Sequence, residues 1–149
     1  MTFSKVLKLL IFSFFLYGCG IPDNKDSIAK FKAELFAVEK EFCAMAQSEG
    51  IQMAFHHFAA DSAVALRGDQ LVKGKESIRR FYGSAKKKGV RLEWSADFAD
   101  VSSSGDLGYT YGKYTYTVTD SIGHSERNCG IFHTVWKRQI DGQWRFVWD

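Results

Sequence analysis

The strongest constraint on this chain lies in its last twenty residues, Gly130 to Asp149, which read GIFHTVWKRQIDGQWRFVWD. Two runs rich in aromatic and β-branched residues flank Asp141-Gly142, a pair that tolerates the positive φ of a tight hairpin turn. The hairpin holds Trp136, Trp144 and Trp148, three of the chain's four tryptophans. Left uncovered, it would present a large apolar patch to water. The rest of the chain must cover it, and that cover either fills the space over the rings or leaves a pocket. Turn length decides which residues face it. A two-residue loop puts Trp144, Phe146 and Trp148 on the face of His133 and Val135; a three-residue loop with a bulge puts them with Thr134 and Trp136.

The 149 residues suffice for one domain with a proper core. The formal charge is +3. Lys5 and Lys8 fall in a segment expected to be removed, which leaves about +1 and argues against a nucleic-acid partner. Residues 1–18, MTFSKVLKLLIFSFFLYG, place these two lysines before an apolar run, Leu9–Leu16. At about eight residues the run is too short to span a bilayer but suits a signal-peptide core. Leu16-Tyr17-Gly18-Cys19 resembles the lipobox of bacterial lipoproteins. That resemblance implies lipidation at Cys19, a membrane partner through the lipid, and a place in the bacterial cell envelope. Gly20 follows in place of an inner-membrane retention aspartate, so in an organism with two membranes the expected site is the outer one, facing the periplasm. Cys43 and Cys129 are expected as buried free thiols, although an oxidising compartment permits a bridge.

Residues 19–26 form a short polar tether before a domain at 27–149. Ser27 is a plausible N-cap. Ile28, Phe31, Leu35, Val38, Phe42 and Met45 recur at helical spacing, with a stop near Gly50. A short second helix, Ile51–Ala59, turns Met53, Ala54 and Phe58 inward. The adjacent His56 and His57 diverge on a helix and do not make a zinc pair. Asp61 caps the turn into a strand at Ala63–Arg67. Arg67-Gly68-Asp69 is too short a motif to carry a function. Gly68–Lys75 fails as a phosphate loop, because its spacing is one residue too long and Glu76 stands where Ser or Thr is required. A third helix runs from Lys75 to Lys88, with Ile78, Phe81 and Ala85 buried and Lys86–Lys88 at its dipole-favoured end. Strands follow at Val90–Val101 and Leu107–Thr119, then a polar loop, Asp120–Arg127, then the hairpin. Helices gathered before antiparallel strands indicate an α+β domain.

The second half carries a recognisable pattern: Leu92-Glu93-Trp94, Val101-Ser102, Ser104 through Thr110, Gly112, Tyr114, Gly130, Val135 through Arg138, and Asp141 through Trp144. With Phe58-Ala59-Ala60-Asp61, Gly74 through Ile78 and Phe81-Tyr82, it resembles the domain-of-unknown-function family 4440. That family sits in the nuclear transport factor 2-like superfamily, with SnoaL-like proteins and ketosteroid isomerases. The resemblance implies a cone: a strongly curved antiparallel sheet wrapped around two to three N-terminal helices, with a cavity at its wide end. The first and third helices are expected to cover the hairpin. The general-base position of the isomerases falls at Leu66, which cannot accept a proton. Asp61 matches an upstream, non-catalytic aspartate, and Asp69 serves only if its loop folds inward.

The expected function is binding, of a small apolar or aromatic ligand or of a partner protein. The expected pocket residues are Trp94, Tyr109, Tyr111, His133, Trp136 and Trp144. The alternative is an isomerase-, dehydratase- or cyclase-type enzyme. Its candidate acids and bases are His133, Asp97 and Tyr111, with His124, Glu93 and Tyr109 behind them; His133 leads because imidazole titrates near neutral pH. A third possibility is a homodimer built on the sheet face of Tyr114, Tyr116 and Val118. No metal or cofactor is expected.

Overall fold

A computed structural model describes residues 24–84 and 89–149. The leader, Cys19, Ala85 and Lys86–Lys88 lie outside the described residues. The elements in order are α1 (Asn24–Ser48), α2 (Ile51–Phe58), β1 (Ala59–Arg67), β2 (Gln70–Lys73), α3 (Lys75–Ser84), β3 (Val90–Val101), β4 (Leu107–Thr119), β5 (Ser125–Arg138) and β6 (Trp144–Trp148). The strands form one curved, unclosed sheet in the order β2-β1-β6-β5-β4-β3, with the helices on its concave side. The fold is α+β, as expected. One pair departs from the all-antiparallel expectation: β6 inserts between β1 and β5 and runs parallel to β1.

Several boundaries move, each for a local reason. Helix α1 begins at Asn24, so Ser27 lies inside it and is not its cap. Helix α2 passes straight into β1 at Ala59, whose extended backbone ends the helix, so Asp61 is a strand residue and not a cap. Phe55 takes the inward position on α2, while Met53 is 49% exposed. Gly68-Asp69 form the turn of a β1–β2 hairpin, and the strand Gln70–Lys73 comes from the stretch that mimics a phosphate loop. Strand pairing continues to Thr119↔Ser125, which shortens the polar loop to Asp120–His124.

The terminal hairpin takes the longer of its two possible turns. Gln139 N–H donates to the Gln143 carbonyl at 2.8 Å, and Gly142 N–H to the Gln139 carbonyl at 2.9 Å. Gly142 has φ 80°, the left-handed value that completes a bulged three-residue loop. Arg138 therefore pairs with Trp144, and Trp136 with Phe146. Directly paired residues share a sheet face, so Trp144 and Phe146 join Trp136 on the inner side, while a register shift after Phe146 pairs Trp148 with Val135 and so departs from the pattern the turn alone implies. The curvature has a second source in β3, where Asp97 is an extra residue between Ala96↔Gly112 and Phe98↔Tyr111. Glycine is needed opposite this bulge, because a Cβ on Gly112 would lie 2.0 Å from the Ser95 carbonyl oxygen.

The hairpin is covered by α1 and α2, and not by α3, which packs on α2 and the β1–β2 hairpin. Phe42 of α1 is the hub. Its ring lies 4.8 Å from Phe55, 4.9 Å from Phe58, 4.7 Å from Trp94, 6.2 Å from Trp136 and 5.8 Å from Phe146, centroid to centroid. One turn before it on the same stripe is a carboxylate. Glu39 is 2% exposed. It accepts hydrogen bonds from Trp94 Nε1 at 2.8 Å, from Trp136 Nε1 at 3.0 Å and from the Thr110 hydroxyl. The three donors favour the ionised form, but burial opposes it more strongly and raises the Glu39 pKa from 4.5 to about 7.

The pH consequence follows from that shift. Between pH 4.5 and 7 the folded protein holds a proton on Glu39 that the unfolded chain has released. This contribution to stability is full below pH 4.5 and lost as pH rises toward 7, by roughly 3 kcal/mol in all. In Glu39→Gln it is absent. Denaturant titrations across this range should show wild type losing stability relative to the variant, and a difference that is constant with pH would refute the assignment.

Candidate functional site

At the end of the cone formed by the C-terminus of α1, by α2 and by the far ends of β3, β4 and β5, the helices do not fill the sheet. A cavity of about 1040 Å³ is left. Its walls include Phe42 and Ala46 from α1, Phe55 from α2, Phe81 and Tyr82 from α3, Leu92 and Trp94 from β3, Tyr114 and Tyr116 from β4, and Trp148 from β6. Glu49, Met53, Leu66 and Gly68, all exposed, stand at its edge. Strand alternation explains why β4 contributes tyrosines here. Thr110, Gly112, Tyr114 and Tyr116 share the inner face, and Gly130, paired with Tyr114, leaves room for its ring, which a Cβ there would approach to 2.6 Å.

Of the expected pocket residues, Trp94 lines the cavity with its side chain on the inner face. Trp136 and Trp144 are on that face but in the closed core: Trp136 is 0% exposed against Glu39, and Trp144 donates Nε1–H to Glu34 at 3.0 Å. Tyr109 and Tyr111 are on the outer face. His133 contributes to the cavity lining, but it pairs with Tyr111, and its ring lies outside, 5.8 Å from Tyr109. The bulge in β3 puts Phe98 beside them, stacked on Tyr111 at 5.1 Å. One residue of turn length and one bulge thus send the candidate acids and bases away from the cavity.

The other candidates also lie elsewhere. Asp97 is the exposed bulge residue. Glu93 pairs with Arg91 at 2.7 Å, and His124 and Asp69 are exposed turn residues. Leu66, at the isomerase base position, is 44% exposed at the cavity edge. Tyr114 and Tyr116 face the cavity and not the outer surface expected for a dimer. Cys43 and Cys129 are unbridged. Cys43 accepts the Trp94 backbone N–H on the inner side, while Cys129 is exposed and pairs with Thr115. His56 is tied to Glu76 at 2.9 Å. Among the described residues no cluster of His, Cys, Asp or Glu is placed to hold a metal ion, and no helix is long and apolar enough to cross a membrane.

Sequence reasoning missed Glu39 and the polar group on the cavity wall, Arg67, Tyr82 and Asp149. Glu39 left a signal: its spacing from Leu35 and Phe42 puts a carboxylate on the buried stripe of α1. The wall cluster left none, since its members come from three separate elements, with Asp149 82 positions from Arg67.

Comparison with solved structures finds the same architecture repeatedly. A nuclear transport factor 2-like superfamily protein from Salmonella enterica serovar Typhimurium superposes with a TM-score of 0.66 at 15% identity, over 80% of this chain and 88% of that one. A conserved protein from Planctomyces limnophilus gives 0.64 at 14% identity, over 78% and 90%. A ketosteroid isomerase-like protein from Erwinia carotovora atroseptica gives 0.61 at 15% identity, over 76% and 88%. These likenesses establish the fold. Comparison with curated proteins finds no match. The profile of the SnoaL-like domain matches residues 36–148, from the middle of α1 through the last strand. The chain therefore belongs to the SnoaL-like domain family.

Proposed function

We propose that this protein binds a small apolar or aromatic ligand in the cone cavity while held at the bacterial cell envelope by a lipid on Cys19. The observation that carries the binding reading is the cavity itself. At about 1040 Å³ it is at the upper end of the range for small-molecule sites, and nine of its lining residues are Phe, Tyr or Trp. The enzyme alternative has less support, because Asp97 and Tyr111 do not line that space and His133, which does, shares the sheet face of Tyr111. The lipid anchor rests on the lipobox resemblance at Leu16–Cys19.

A second reading, self-association through the outer sheet face, is supported by a separate observation. Phe98, Tyr109 and Tyr111 form a ring cluster, 37%, 37% and 41% exposed, and Ile131 beside them is 69% exposed. Such a patch on a sheet is costly to leave in water.

Each part has its own test. The neutral fluorescent probe N-phenyl-1-naphthylamine should bind saturably, one per chain, and quench Trp94 and Trp148. Ala46→Phe, which puts a ring into the cavity, should weaken it roughly tenfold with unchanged circular dichroism. Probe binding indifferent to Ala46→Phe would count against the cavity. Cys19→Ser should move the protein from the membrane to the soluble fraction, and continued membrane fractionation would remove the anchor. In sedimentation velocity, Ile131→Arg or Tyr111→Glu should shift a dimer to monomer; a monomeric wild type at all concentrations would end the second reading.

A further inference from the structure

The cone has two ends of different character, and α1 runs from one to the other. It stays in step with β3, which runs the opposite way. Gln47 meets Arg91 at 3.0 Å, Cys43 accepts the Trp94 backbone N–H, and Lys32 meets Asp100 at 2.9 Å. The cavity lies at the C-terminal end of the helix, beside Ala46, Gln47 and Glu49. At the N-terminal, narrow end two turns flank the helix. Gly105 of the β3–β4 turn lies against Phe31, whose ring a Cβ there would approach to 2.2 Å. Beside the β5–β6 turn, Arg138 lies over the same ring at 5.0 Å and reaches Glu34 at 3.6 Å.

The β5–β6 turn carries at its tip an apolar side chain that the protein leaves uncovered. Ile140 is 110% exposed, as open as in an extended peptide. Turns favour glycine and small polar residues, so local geometry gives no reason for an isoleucine here. The charges around it are unbalanced. Glu34 is tied to Arg138, Asp100 to Lys32, Asp141 to Arg145, and Asp106 accepts from the Ser102 hydroxyl. Lys25, Lys30 and Lys137 are exposed and make no ion pair among the described residues, although Lys137 feels the field of Asp106. Against them stands Asp26, also exposed.

The length of chain before α1 limits what this end can meet. Cys19 stands five positions before Asn24. Even fully extended, that stretch spans at most about 18 Å. Helix α1, at 25 residues, is about 37 Å long. A bilayer holding a lipid on Cys19 is thus within reach of the narrow end, while the cavity is a helix length away.

Resting on the lipid anchor at Cys19, we infer that the narrow end of the cone is a docking surface for an anionic bilayer. Ile140 enters the boundary between headgroups and acyl chains, Lys25, Lys30 and Lys137 meet the headgroups, and the cavity opens away from the membrane. One isoleucine and three cations hold no protein on a membrane by themselves. A tether raises their effective concentration at the surface, so weak contacts suffice to fix orientation. Ligand then enters the cavity from water and not from the bilayer that carries the protein.

The test uses the full-length lipidated protein, reconstituted into vesicles of equal parts phosphatidylcholine and phosphatidylglycerol. Intact mass reads the lipid on Cys19. In a Cys43→Ser, Cys129→Ser background, a nitrobenzoxadiazole probe is attached at Ile140→Cys or, in the β4–β5 turn at the opposite end, at Ile122→Cys, a position 89% exposed. The probe at 140 should shift to the blue and be quenched by nitroxide-labelled lipid, and the probe at 122 should do neither. Adding Lys25→Gln and Lys30→Gln should lower the ratio of docked to undocked protein roughly tenfold. In the unsubstituted protein, hydrogen exchange in the 139–143 turn should be slower in vesicles than in detergent, with the 120–124 turn unchanged, which keeps the inference testable should a variant misfold. A lipidated protein whose probe at 140 stays in water, equal quenching at both sites, or unchanged exchange at 139–143 would overturn the docking surface and leave the anchor standing. A blue shift without nitroxide quenching would assign Ile140 to a protein partner and overturn it equally. A mature chain without lipid would overturn both.

Discussion

One buried carboxylate fastens the helical layer to the sheet. Glu39 reaches from α1 to Trp94 on β3, Thr110 on β4 and Trp136 on β5, three adjacent strands held by one side chain. Apolar packing alone would let α1 slide or rotate over the sheet, since dispersion contacts have little direction. Hydrogen bonds to two indole N–H groups and a hydroxyl define a single seat. Phe42, the next residue on the same stripe, then finds its place among five rings. The cost of this arrangement is a group whose charge the site disfavours, which is why its pKa rises to about 7.

The seat of α1 also determines where the cavity lies. The N-terminal half of the helix meets the narrow end of the cone, where Lys32 pairs with Asp100 at 2.9 Å and Glu34 holds the Trp144 indole. Its C-terminal end stops at Ser48, and α2 turns away at Gly50, whose φ is 94°. Beyond that point the sheet continues without a helix pressed to its centre. Tyr114 and Tyr116 line space there, with Leu92 and Trp94 at its border with the core. Fold and site are thus consequences of one helix length set against longer strands. The curvature that makes the space comes from the Asp97 bulge and the close approach of strands at Gly112.

The two faces of the sheet take different work. The inner face carries the core, then the cavity. The outer face carries Phe98, Tyr109, Tyr111, Ile131 and the His133 ring. Several residues that look like pocket chemistry in the sequence are on this outer side, because a strand shows only alternation and not direction. Tyr109 and Tyr111 alternate with Thr110, and it is Thr110, with no aromatic surface, that faces inward.

The sequence by itself determined the aromatic hairpin, the helical stripe from Phe31 to Met45, the α+β order and the SnoaL-like pattern. These are local periodicities and turn residues, carried by neighbours in the chain. It did not determine which way the sheet faces, because side chains alternate with period two and one residue in the 140–142 loop or one bulge at Asp97 inverts every assignment beyond it. Only the tertiary structure decided that Trp136 meets Glu39, that His133 turns outward, and that Arg67, Tyr82 and Asp149 meet on one wall. Those contacts join residues 15 to 97 positions apart, and their geometry follows from strand order and helix length, which no local pattern encodes.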